Sequence, residues 1–370
     1  MLSNIKTNEQ LRALFSANVT FLDVRAEKEF IKGHFPNAHN LPILNNEEHH
    51  LVGLCYKEKG RIAAIKLGHS IVTGDVKHQR IKAWCDFATS HLNTHLYCWR
   101  GGMRSSYAQQ WMKDSGVEIP MINGGFKALR AVLMNEIKNT ALHIPMIRIG
   151  GKTGTSKTIL INEIEFSTDL EGHANHRGSS FGRQVSEVAT QVSFENSLGV
   201  DLIKKRNAYP ERSLVIEDES RRIGSCEIPK VFFEAMRSGP IGLIEMPMEL
   251  RIDRIIQDYV INMSQQFLDA HAKHGWKLYV DYLTQSLFRV KKRLGLSQFK
   301  KIDGLMRSAL KKHSNNGDII GHRAWIQVLL NEYYDPMYEY QISKQTNDIA
   351  FQGCYNDVLA WASNRSASGI

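Results

Sequence analysis

The sequence predicts an α/β protein: one parallel-sheet domain, then a second α/β domain continued by a largely helical C-terminal region. Three observations predict it. Short apolar runs alternate with amphipathic helical patterns over residues 1 to about 135, the order that builds a parallel sheet with functional loops at its strand ends. At "IPMIRI" a new apolar run enters a glycine-rich turn and then a helical pattern, so a second sheet begins there. From about Arg251 onward the pattern is helical and basic. A chain of 370 residues also exceeds what one hydrophobic core usually organises. The expected domains are 1–137, 138–250 and 251–370, with the linker around 138–146.

Taken in order, "NVTFLDVR" is a strand ending in Asp23 and Arg25, "HLYCW" a second and "VEIPMI" a third. "RSSYAQQWMKDSG" is a helix closed by Gly116, and "GGFKALRAVLMNEIKNT" is a helix leading out of the domain. In "IPMIRIGGKTGTSKTILINEI" strand, turn and helix follow one another, and "RSLVIEDES" is a buried strand ending in acids. "LFRVKKRLGLSQFKK" and "AWIQVLLNEYYDPMYEYQ" are the basic and aromatic helices of the last third.

Hydrophobic residues make up 42% and charged residues 23%, an ordinary globular balance. No apolar run approaches the roughly 20 residues of a membrane span, and "MLSNIKTNEQLRALFSANVTFLDVR" lacks a signal-peptide core. The five cysteines, Cys55, Cys85, Cys98, Cys226 and Cys354, are scattered and form no C-x-x-C pair. That pattern argues against a disulfide framework and a zinc ribbon, and for a reducing compartment. The expectation is a cytoplasmic monomer without a membrane partner. The net charge of +9 favours a polyanion such as nucleic acid, or small anionic substrates.

"LYCWRGGMRSS" carries the first chemical signal. A strand ends at Cys98 and a helix begins near Ser105, so the loop between aims backbone N–H groups toward the thiol. Arg100 and Arg104 add positive charge, and the surroundings favour thiolate, the nucleophilic form. Two chemistries use such a loop. One is a cysteine phosphatase, because "CWRGGMRS" fits C-x5-R followed by a hydroxyl residue. The other is a rhodanese-like transferase, in which the cysteine carries sulfur or selenium. Upstream, "FLDVRAEKEFIKGHFPNAHNLPI" resembles the rhodanese family's opening signature.

"GKTGTSKT", Gly151 to Thr158, is close to the P-loop pattern G-x-x-x-x-G-K-[ST] and stands between a strand and a helix. Its N–H groups would ring a phosphate or diphosphate, with Gly151 and Gly154 shaping the turn, Lys157 reaching the outer oxygens and Thr158 able to hold Mg²⁺. Ser156 stands where the pattern has glycine, and is strained if that position needs positive φ. Among the acids Glu217, Asp218 and Glu219 of "LVIEDES", Asp218 is the candidate magnesium partner of Thr158. Whether ATP or GTP occupies the loop stays open.

Together these motifs resemble the tRNA 2-selenouridine synthase family. "YCWRGGMRSS", "INGGFKALR", "VGLCYKEKGRIAAIKLG", "DLEGHANHRGSSFG", "VIEDESRRIG" and "YYDPMYEYQ" carry the likeness over most of the chain. It departs at Ser156 and at His173, where an apolar residue would be expected. The resemblance implies two steps on the wobble 2-thiouridine of tRNAs of the Lys, Glu and Gln types. Geranyl diphosphate first alkylates the sulfur; selenium derived from selenophosphate then displaces it. It also implies a selenophosphate-producing enzyme as a partner. On this mapping Cys98 carries selenium with Arg100 and Arg104 beside it. Gly151, Gly154, Ser156, Lys157, Thr158 and Asp218 hold the diphosphate, together with Asn175, His176, Arg177 and Ser179 from "ANHRGSS". Arg289, Lys291, Lys292, Arg293, Lys300 and Lys301 are candidate tRNA contacts. The competing readings are a rhodanese-type sulfurtransferase joined to an NTPase, an RNA-binding module with a degenerate P-loop, and the C-x5-R phosphatase.

Overall fold

The computed structural model describes residues 7–344 and 349–369, and the chain divides into two compact units. The first comprises Met1–Asn139 with Thr190–Ala208; the second comprises Thr140–Ala189 with Tyr209–Ile370. The helix Gln191–Ala208 therefore belongs to the first unit, although it falls inside the stretch 138–250.

In the first unit β1 (Thr20–Asp23), β2 (Ala38–Asn40) and β3 (Thr94–Tyr97) form a parallel sheet in the order β2-β1-β3. Side chains alternate across it. Phe21 packs on one side with Phe15, Phe35, Tyr97 and Phe126. Leu22 packs on the other with Leu96, Trp84, Trp111 and Met112. "VEIPMI" is not a full strand. It touches β3 through one bridge, Leu96 to Met121, because Pro120 has no N–H for a longer ladder. Behind the end of β1, Arg25 is fully buried; it donates to Asp23 at 2.6 Å and to the Gly33 carbonyl at 2.9 Å. Its guanidinium also lies 4.0 Å from the Phe126 ring centroid.

The second unit holds a five-stranded parallel sheet of β4 (Met146–Gly151), β5 (Ser167–Thr168), β6 (Leu214–Glu217), β9 (Ile241–Ile244) and β10 (Ile349–Gly353), with an antiparallel ribbon of β7 (Arg222–Ile223) and β8 (Cys226–Glu227). The sheet order is β10-β9-β4-β6-β5. The central strands β4 and β6 are buried throughout, which is why they read as continuous apolar runs rather than alternating ones. The C-terminal helices belong to this same unit and share one core around Tyr279, Leu283, Met306 and Trp325. Two stretches of that helical body are π-helical, Ile256–Asn262 and Leu330–Tyr334. The second ends just before Pro336, whose missing N–H and bulky ring a widened turn accommodates. No helix is long and apolar enough to cross a membrane among the described residues.

Candidate functional site

Each unit presents one chemical site. In the first, β3 ends just before Cys98, and the helix Met103–Asp114 starts two residues before Ser105. The thiol faces that helix: Sγ lies 3.1 Å from Ser105 Oγ, which donates to the Gly102 carbonyl at 3.0 Å. "CWRGG" and "INGGF" meet here. Phe126 N–H donates to the Cys98 carbonyl at 2.9 Å, and a Cβ on Gly125 (φ +55°) would sit 2.1 Å from that carbonyl oxygen, so only glycine fits.

Arg104 is close enough to the thiol to feel its charge, but its guanidinium is committed to Glu29, at 3.1 Å for its second nitrogen. Burial opposes ionisation of Glu29, and Arg104 outweighs it, holding the carboxyl below the usual range. Arg100 is exposed, while Trp99 stacks on Phe126 at 5.2 Å. Cys98 is 2% exposed and lies buried at the strand end. Glu29 stands in the "AEKEF" segment of the opening signature; its pairing with Arg104, 75 residues on, has no local signal.

In the second unit the P-loop opens onto a cleft of about 880 Å³ lined by Gly151, Gly154, Ser156, Lys157, Thr158, Asp218 and the whole run Asn175–Ser179. The sequence-predicted phosphate residues therefore come together. Ser156 has φ +63°, so a side chain occupies the left-handed position that glycine normally fills. Lys157 Nζ donates to the Gly151 carbonyl at 2.8 Å, within reach of an anion in the loop. Asn175 is also left-handed, φ +48°, and its amide donates to Ser186 and to the Glu187 carbonyl, both at 2.7 Å. Arg177 faces Asp258 at 3.6 Å and the Tyr259 ring at 5.0 Å. His176, its pKa lowered by burial and by Arg289, packs against Gly224. His173 meets the Thr168 hydroxyl at 3.2 Å, so a polar residue is accommodated there.

The acids at the end of β6 turn to different partners. Asp218 turns to Arg148 at 2.8 Å and Arg237 at 3.1 Å, while Glu217 Oε1 accepts from Thr158 at 2.8 Å. Glu171, which the sequence reading did not single out, accepts from Thr158 at 3.4 Å and from the Gly178 N–H, bridging the P-loop and the "ANHRGSS" loop. Burial and mutual repulsion raise the pKa values of this cluster. Glu217 is pushed well above the carboxylate range by desolvation and by Glu171 and Asp169; Glu219 is pushed up to about 8 by desolvation and Glu171. Glu217 Oε2 is buried without a hydrogen-bond partner. Among the described residues no group of three or more His, Cys, Asp or Glu side chains is placed to hold a metal ion.

The basic candidates separate. Arg289 turns inward and donates to the Ser180 carbonyl and Ser286 Oγ, both at 2.7 Å, so it shapes the cleft loop. Lys291 lies 5.3 Å from the Phe288 ring and 5.2 Å from the Phe299 ring, and Arg293 donates to the Tyr333 hydroxyl at 3.4 Å. Lys292, Lys300 and Lys301 are exposed.

A family model described as a rhodanese-like domain matches residues 7–131, and one described as the tRNA 2-selenouridine synthase AAA domain matches residues 144–368. A tRNA 2-selenouridine synthase of Photobacterium profundum is 42% identical over 358 residues, 96% of this chain and 98% of that protein. The chain belongs to the tRNA 2-selenouridine synthase family. The synthase of Marinobacter nauticus is 42% identical over the full length of both chains, 369 residues, and that of Pseudomonas syringae pv. syringae is 44% identical over 96% of this chain and 97% of its own. As a family member the protein is an enzyme of tRNA wobble modification, built from a rhodanese domain and a P-loop domain. Membership favours the synthase reading over the phosphatase, the sulfurtransferase and the RNA-binding module.

Two predictions follow from this geometry. Left-handed serine costs roughly 1–2 kcal/mol, part of which glycine returns as unfolded-state entropy. Ser156→Gly therefore raises thermal stability slightly and leaves diphosphate binding, followed by calorimetry, unchanged or tighter; weaker binding would show that the serine hydroxyl itself is a ligand. The second concerns pH. Glu219 has a raised pKa, so it is neutral below about 8 and an anion above it. Metal-free diphosphate affinity should fall as pH rises through that value, and Glu219→Gln should flatten the profile.

Proposed function

We propose that the protein converts wobble 2-thiouridine in tRNAs of the Lys, Glu and Gln types to 2-selenouridine through an S-geranyl intermediate. In the first step the thiocarbonyl sulfur takes the geranyl carbon, the carbon–oxygen bond to diphosphate breaks, and diphosphate leaves. In the second, the selenium of selenophosphate attacks the base carbon, the geranylated sulfur departs as geranyl thiol, and hydrolysis of the selenium–phosphorus bond releases phosphate. Alkylation matters because the bare sulfur leaves poorly, whereas the S-geranyl group leaves readily and activates the ring carbon.

One observation carries the reading: a single chain holds a buried thiol in an arginine-flanked loop and, in its other unit, a phosphate-loop cleft. The leaving diphosphate needs N–H groups and cations, which the turn Gly151–Thr158 and Lys157 offer. Arg177 and Arg237 line the same cleft. A selenium carrier needs a thiol with positive charge nearby, which Cys98 and Arg104 offer; exposed Arg100 would meet the incoming anion. Mg²⁺ would be held by Thr158 and Glu217, because the buried Glu217 Oε2 lacks a partner. There it would neutralise charge on the departing diphosphate. Exposed Lys292, Lys300 and Lys301 suit tRNA phosphates. A selenophosphate-producing enzyme would supply the second step.

The test compares nucleosides from bulk tRNA of selenium-fed cells with and without the gene. Mass spectrometry should find 2-selenouridine only where the gene is present. Equal amounts in both strains would reject the reading.

A further inference from the structure

We infer that an apolar recess opening off the P-loop cleft receives the far end of the substrate's prenyl chain, and that its depth sets the chain length accepted. This rests on the proposed use of geranyl diphosphate and adds the binding place of the tail, which no motif in the sequence marks.

The recess is walled by Phe181, Trp325, Ile326, Leu329 and Leu330, all at most 4% exposed. It is continuous with the cleft, because Ile255, Tyr259 and Tyr334 line both, and Thr153 of the P-loop stands at its mouth. A ligand whose head lies in the loop thus has an apolar path leading from it into the helical core. The widened helical turns at Ile256–Asn262 and Leu330–Tyr334 carry Tyr259 and Tyr334 to that mouth. Turns of this kind are costly and concentrate at functional places. The Tyr334 hydroxyl is already engaged with Ser180 at 2.7 Å, leaving its ring to the path.

Chemistry and size select the occupant. A nucleobase in the recess would lose the water on its polar edge and gain almost no partners, which disfavours it. A hydrocarbon loses nothing by entering. The recess measures about 30 Å³. Since a water needs about 10–15 Å³ by this measure, it admits two or three carbon atoms, the size of the branched end of an isoprenoid and too little for a purine. The remainder of the chain then lies along Ile255, Tyr259 and Tyr334 between recess and P-loop. On this reading the chain length accepted is the one whose branched end reaches the recess while the diphosphate stays in the P-loop.

Calorimetric binding to the purified full chain tests this with inorganic diphosphate, dimethylallyl, geranyl and farnesyl diphosphates, and GDP. Geranyl diphosphate should bind roughly tenfold or more tighter than inorganic diphosphate, the worth of two or three buried carbons. Leu329→Trp fills the recess and should remove that excess while leaving inorganic diphosphate binding within about twofold, since the P-loop is untouched. Should the tryptophan prevent folding, Leu329→Ala deepens the recess instead and should shift preference from geranyl toward farnesyl diphosphate. Inorganic diphosphate binding with no gain from the geranyl chain overturns the recess alone. A chain-length preference unmoved by Leu329→Ala, or geranyl binding unmoved by a folded Leu329→Trp, does the same. Failure of every diphosphate, inorganic included, overturns the proposed function with it, and GDP binding tighter than geranyl diphosphate would return the cleft to a nucleotide.

Discussion

A buried ion pair, Arg251 with Asp335, is the constraint on which the second unit's chemistry depends. The guanidinium donates to both carboxylate oxygens, at 2.8 and 2.5 Å, and its Nε donates to the carbonyl of Thr153 at 2.8 Å. One side chain thus ties the P-loop to two helical segments that are 84 residues apart. The loop leans on the same residue from the other side: a Cβ at Gly154, φ +87°, would come within 2.9 Å of the Arg251 carbonyl. Removing Asp335 would strand the buried Arg251 guanidinium, at a cost of roughly 3–5 kcal/mol. The helical region is therefore part of the P-loop's own support, and the apolar recess lies where loop and helices meet.

Charge in the cleft is arranged as a conflict. Lys157, Arg177 and Arg237 line the cleft, yet Asp169, Glu171 and Glu219 line the same space and Glu217 stands at Thr158. Desolvation and mutual repulsion keep Glu217 and Glu219 protonated where ordinary carboxylates ionise. On the proposed function a cation or a proton would accompany the diphosphate, coupling its binding to pH and to Mg²⁺. The first unit makes a smaller compromise: Arg104 serves Glu29 and the thiol together, so its field at Cys98 is shared.

The strand–loop–helix passages around Cys98 and Lys157 were legible in the sequence because each is continuous in the chain. What the sequence left open depended on side-chain direction or on remote partners. In β6 every residue is buried, so no alternation says which of Glu217, Asp218 and Glu219 turns to Thr158, and in the fold it is Glu217. Pro120 turned an apolar run that resembles a strand into a single bridge. Arg289 looked like a solvated base on an amphipathic helix, yet Ser180, 109 residues away, claims it. Glu171 sat inside a recognisable string but gained meaning only when Thr158 and Gly178 closed around it. The helix Gln191–Ala208 carries no local sign that its apolar face packs with Leu11 and Leu14.

The central claim is a division of labour between two sites, and it is tested most directly by giving two purified variants the same 2-thiouridine tRNA, geranyl diphosphate and selenophosphate. Nucleoside mass spectrometry should find S-geranyl-2-thiouridine accumulating with Cys98→Ser, because the alkylation site is intact and the selenium carrier is gone. With Lys157→Ala the tRNA should remain largely 2-thiouridine, because the diphosphate cradle is broken before the first step. Equal loss of both steps in both variants would contradict the account.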